Sequence, residues 1–152
     1  MAAGTWNFFK NAKRELGTGK LDFDTRALRI TLHSIGASAN LSANNDITVL
    51  SSIGSELAAT RGYAANGVTI SGGSIVLSGT NMIYTGPNQV SWSANGGNLG
   101  GGTIKYAAIH ASYAAGTRFP LAWVTLSTTP FLVGDGSKLI INSGGGRYFE
   151  IQ

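Results

Sequence analysis

From Val68 to the C-terminus the chain is a succession of short β-branched and aromatic runs separated by glycine-rich breaks, a pattern that antiparallel strands satisfy and helices do not. Val68-Thr69-Ile70, Ser74-Ile75-Val76-Leu77-Ser78, Met82-Ile83-Tyr84 and Gln89-Val90-Ser91-Trp92 follow one another with only a few residues between them. Residues 103–111, the longest candidate strand, then 121–126, 138–142 and 148–151 continue the series. Ser71-Gly72-Gly73-Ser74 reads as a hairpin connection whose glycines supply positive φ, and Gly86-Pro87-Asn88 reads as a further turn. Short strands at regular spacing predict a mainly β chain: a single β-sandwich, Ig-like or jelly-roll-like, with a body over 20–152. No internal repeat and no linker long enough to divide two domains interrupts 1–152.

The first thirty residues differ in kind. Six of the 11 basic residues and three of the 7 acidic ones lie at or before Arg29, and the remainder is nearly charge-free. Phe8, Ala12 and Leu16 are spaced i, i+4, i+8, which predicts a short helix with Thr5 or Asn7 as N-cap and Gly17 as the terminating glycine, so that 1–19 form a helix and turn. A helix of this length is marginal alone, so its aromatic residues must dock on the body or on a neighbouring subunit. Leu28, Ile30 and Leu32 alternate with Arg29, Thr31 and His33 as in a half-buried strand; residues 34–45 read as a loop and 47–57 as a short helix or turn.

At 152 residues the chain is long enough to bury about two-thirds of the surface of its unfolded state. The charged fraction of 12% is about half the usual ~25%. Such a surface fits a protein whose exterior is partly covered by neighbours. The charge of +4 is modest, and the small basic stripe Lys10, Lys13, Arg14 reads as a solvated helix face before a nucleic-acid site. The absence of cysteine removes disulfides, thiolate catalysis and zinc-thiolate sites. No stretch reaches the ~18 apolar residues of a membrane span, and Lys10, Lys13 and Arg14 interrupt any secretory apolar segment. The expectation is synthesis in the cytoplasm, with no membrane and no nucleic acid as partner.

A survey for chemistry finds no strong site. The glycine run at 95–102 lacks the Lys of a phosphate loop and leads into a strand, so it reads as a flexible inter-strand loop; Gly144-Gly145-Gly146-Arg147 reads the same way. Asp22 and Asp24 would share one face of a strand, yet no separate acid/base partner lies near them in sequence, and solvent-facing carboxylates are the simpler reading. His33 and His110 lack metal-ligand spacing and read as strand residues with hydrogen-bond partners. Trp6, Trp92 and Trp123 with Tyr63, Tyr84, Tyr106, Tyr113 and Tyr148 offer either a sugar-stacking platform or core packing. No catalytic residue, metal ligand or cofactor is assigned, and the chain is expected not to be an enzyme.

The ordered set Phe8-Phe9-Lys10, Leu16, Gly19-Lys20-Leu21-Asp22-Phe23-Asp24-Thr25, Leu28-Arg29-Ile30-Thr31-Leu32, Arg61-Gly62-Tyr63, Val90-Ser91-Trp92, Tyr106-Ala107-Ala108-Ile109 and Pro120-Leu121-Ala122 resembles small virion structural proteins of tailed bacteriophages. It departs from them after Tyr63, where Ala64-Ala65-Asn66-Gly67 replaces a Gly-Gly, and in the middle loop. The resemblance implies a non-enzymatic virion component: a capsid decoration or cement protein, or a neck, tail or fibre protein. Its implied partners are the major capsid protein or other virion proteins, with further copies of itself as a homo-oligomer. A carbohydrate-binding module with exposed Trp92 or Trp123 is the alternative. Phe8, Phe9, Lys10, Lys13 and Arg14 are the candidate protein-contact surface, the aromatics as anchors and the basic groups meeting acidic neighbours. The same two rings would otherwise cap the body.

Overall fold

The computed structural model describes residues 5–21, 27–41, 46–79, 81–87, 89–112, 117–142 and 147–151. Along the chain these form β1 (Asn7–Phe8), α1 (Lys10–Gly17), β2 (Leu28–His33), β3 (Val68–Ile70), β4 (Ser74–Ser78), β5 (Asn81–Thr85), β6 (Gln89–Ser93), β7 (Tyr106–Ser112), β8 (Arg118–Thr125), β9 (Lys138–Asn142) and β10 (Arg147–Ile151). Single 3₁₀ turns lie at Ile35–Ala39, Leu50–Ser52 and Leu99–Gly101. The protein is mainly β, and the described residues form several antiparallel sheets and one α-helix: a five-stranded sheet in the order β1-β8-β7-β2-β3, a three-stranded sheet β10-β5-β4, and the pair β6-β9.

The five-stranded sheet owes its packing to period-two alternation. Leu28, Ile30 and Leu32 of β2 face the same side as their partners Ala111, Ile109 and Ala107 of β7, and all six are fully buried. The alanines leave room on the central strand for the larger neighbours, and Ala122 and Val124 of β8 complete the layer. The β7–β8 register shifts between Ile109 and His110, leaving Leu121 unmatched on β8. That bulge frees the Leu121 carbonyl to accept the Phe9 N–H at 3.0 Å, continuing the pairing of Asn7 with Trp123 and Phe8 with Ala122.

The helix is shorter than the spacing of Phe8, Ala12 and Leu16 predicts. Phe8 is strand, and Phe9 is the N-cap, held extended (φ −68°, ψ 144°) by the pairing with β8; neither Thr5 nor Asn7 caps the helix. Ala12 is buried and Leu16 packs at the core margin, so the predicted stripe survives from its second member onward. Termination falls at Gly19, not Gly17: Gly19 takes φ +70°, its N–H donates to Leu16, and the Lys20 N–H donates to Glu15, a Schellman closure.

Three connections depart from local expectation. Gly72-Gly73 does not close a hairpin, because β3 pairs with β2 while β4 pairs with β5. Gly86-Pro87 carries the chain from β5 to β6, which pairs with β9, and β9 and β10 lie in different sheets. The longest strand is β8, with eight residues to seven in β7. Turn residues mark where the chain reverses; tertiary packing decides which strand it joins. Part of the expected loop at 34–45 is a 3₁₀ turn started by the Ser34 hydroxyl accepting from Gly36 N–H, whereas Leu50–Ser52 is the short turn expected within 47–57.

Candidate functional site

The N-terminal leader divides cleanly. Phe8 and Phe9 are 7% and 0% exposed, so the fold gives these rings the packing role and not that of surface anchors within the chain. Their backbone pairs with β8, and α1 then returns over that strand. Lys10, Lys13 and Arg14 stand exposed on the opposite side of α1. Arg14 is engaged with Asn11, Glu15 and Asp46, while Lys10 and Lys13 make no ion pair among the described residues. Buried Asn11 ties the helix to the body through a hydrogen bond to the Ile47 carbonyl at 3.5 Å.

A second surface lies on β4, which the sequence shows only as an ordinary strand. It is the edge of its sheet, with no strand on its outer side among the described residues. Val76 and Leu77 are 43% and 77% exposed on its two faces, while Ile75 packs at the core margin. From Gly62 to Ile104 the sequence has no Lys, Arg, Asp or Glu, so nothing charged guards this edge in sequence. Edge strands of soluble proteins usually carry Lys, Pro or a bulge against unwanted pairing; β4 has no Lys or Pro, and its register with β5 is unbroken.

The third feature is a polar face. Opposite the apolar layer of the five-stranded sheet, Arg29, Thr31 and His33 of β2 and His110 and Ser112 of β7 share one face, and Arg118 of β8 pairs with Ser112. Arg29, Asn66, Ser112 and Arg118 line a cleft of about 260 Å³. Arg29 is locked in place: its Nε donates to the Asn66 carbonyl at 2.9 Å and Nη2 to the Gly67 carbonyl at 2.7 Å. Gly67 can approach because it takes φ +68° and has no side chain; a Cβ there would sit 1.7 Å from the Ile30 carbonyl oxygen.

The two histidines on this face differ. His33 has the partners expected of it, Thr31 Oγ1 at 2.9 Å and the Gly54 carbonyl at 2.8 Å. Burial holds its pKa below the ordinary value, against the raising effects of the Gly54 carbonyl and Glu56. His110, expected to be hydrogen-bonded, is fully buried with neither ring nitrogen paired among the described residues. Burial first, then the positive charges of Arg118, Arg29 and His33, push its pKa down to about 3. Nearby, the buried Tyr63 hydroxyl donates to Glu56 at 2.9 Å and accepts the Leu32 N–H at 3.1 Å, closing the β2 edge beyond β3. Burial raises its pKa.

The remaining sequence candidates disperse. Trp92 is 3% exposed in the core, which removes it as an exposed sugar-stacking ring; Tyr63, Tyr84, Tyr106 and Tyr148 are buried as well. Trp123 is half-buried edge-on to Tyr106 at 6.3 Å, and Trp6 is half-buried at the core margin. Asp22, Asp24, Tyr113 and Gly144 to Gly146 lie outside the described residues. The glycine run after β6 is a packed turn: the Leu99 N–H donates to Val133, the Gly96 N–H to Asp135, and Gly100 lies against Leu57. No group of three metal-ligating side chains occurs among the described residues, and none of their helices is long and apolar enough to cross a membrane. The sequence reading missed the cleft because Arg29 and Arg118 are far apart in the chain; only the β2–β7–β8 register unites them. Comparison with protein-family models, curated proteins and solved structures finds no match.

Proposed function

We propose that this chain is a non-enzymatic bacteriophage virion structural protein, a capsid decoration or cement protein that binds the lattice of the major capsid protein. In this reading the antiparallel sheets form a single β-sandwich body, and the protein acts by covering its neighbours' surfaces. The observation that carries the reading is the unguarded β4 edge, where Val76 and Leu77 are exposed within a charge-free stretch of sequence. An open edge of this kind suits strand addition or apolar contact with a neighbouring subunit. The exposed Lys10 and Lys13 add a second contact surface suited to acidic neighbours. The ordered resemblance of the leader and later strands to tailed-phage virion proteins points the same way.

Quantitative mass spectrometry of purified particles of the phage carrying the gene tests this directly. Copies in proportion to the major capsid protein support decoration, whereas a single ring's worth of copies moves the protein to the neck or tail. Absence from particles overturns the reading.

A further inference from the structure

We propose that the cleft between Arg29 and Arg118 is a binding site for a small oxyanion, a carboxylate or a phosphate group. The two guanidinium groups come from strands on either side of β7, and Ser112 and Asn66 complete the lining. Neither arginine has an ion-pair partner among the described residues. Arg29 is oriented by two backbone carbonyls, which use Nε and Nη2 and leave Nη1 without a partner among those residues. A planar fork held in place loses little freedom on meeting an oxyanion, and charge-assisted bonds of this type are the strong ones. The Ser112 hydroxyl adds a neutral donor on the same face.

Among the described residues the carboxylate nearest the cleft is Glu56, which accepts the Asn66 N–H at 2.8 Å and the Tyr63 hydroxyl and forms no ion pair with either arginine. His110, paired in register with Arg29 and two residues before Ser112, is fully buried, and both arginine charges disfavour its protonation. Beside these cations lies a buried imidazole whose nitrogens find no partner among the described residues, and an anion in the cleft would offset the positive charge that acts on it. Carboxylate and phosphate share the chemistry required: negative charge and several acceptor oxygens.

The test titrates the full chain with acetate and, separately, with inorganic phosphate at constant ionic strength, followed by two-dimensional NMR. Shifts centred on the Arg118 side chain, the Ser112 amide and the His110 ring are expected, with an Arg118→Gln variant of unchanged spectral dispersion weakening binding about tenfold or more. A response to acetate, to phosphate or to both supports the site and tells the two ligand sources apart. Equal affinity in Arg118→Gln, or shifts confined to Lys10 and Lys13, overturns it. Asp22→Asn/Asp24→Asn supplies the internal control: binding that appears only when these carboxylates are removed makes the cleft an intramolecular ion-pair site and overturns the proposal.

Discussion

His110 is the residue whose chemistry is least reconciled with its place. Its folded-state pKa, pushed down to about 3 by burial and by the neighbouring arginines, lies below the unfolded value of 6.5. Between those limits the unfolded chain binds the extra proton, so stability is fully present above about pH 6.5 and is lost as pH falls toward 3. The loss approaches about 1.4 kcal/mol per pH unit from this one group, and His33 adds a loss of the same sign. Urea denaturation across that pH range should show the slope, and His110→Leu should flatten it. Because neither ring nitrogen has a partner among the described residues, that substitution should cost little at neutral pH. Gly67→Ala is the opposite case. A Cβ against the Ile30 carbonyl at φ +68° displaces backbone, and the expected loss exceeds the ~1 kcal/mol of an ordinary strained glycine site; the midpoint of thermal unfolding checks it. Local sequence pattern placed both histidines on strands, but could not say that His33 would meet Gly54 while the His110 nitrogens would find no partner among the described residues. Such partners come from segments distant in the chain.

At the scale of elements, α1 and β4 show where sequence is informative. The leader's apolar residues pointed to docking, and Phe9, Ala12 and Leu16 do pack on the body. Their periodicity could not reveal that Phe8 and Phe9 join a sheet, because strand pairing with β8 overrides helical spacing. Phe9→Ala should therefore cost about 3–5 kcal/mol by calorimetry or denaturant titration, while Lys10→Ala and Lys13→Ala stay within about 0.5 kcal/mol. A loss of particle binding in the lysine variants at unchanged stability would assign them to a contact. For β4, Leu77→Lys should leave stability nearly unchanged, since the side chain is 77% exposed. Under the proposed function it should abolish association with neighbouring subunits, measured by light scattering and by binding to undecorated particles. Unchanged association would remove the edge from the interface. The individual β4 run was legible from Ile75-Val76-Leu77, but its edge position depended on β5 and β10 and was not.

Across the whole molecule, the β-rich class followed from short runs and glycine breaks, whereas strand order did not follow from chain order. The central sheet joins β1 and β2 from the start of the chain to β7 and β8 from its later half. This has a consequence for biosynthesis. Leu28, Ile30 and Leu32 leave the ribosome well before residues 106–112, which supply their β7 partners, whereas β3 on the other side follows sooner. At ~5–20 residues per second that interval lasts roughly 4–15 s. The β4–β5 hairpin, joined through Gly79, needs no such wait. Until β7 emerges, β2 can pair on one side with β3, while the apolar layer it shares with β7 and β8 stays open.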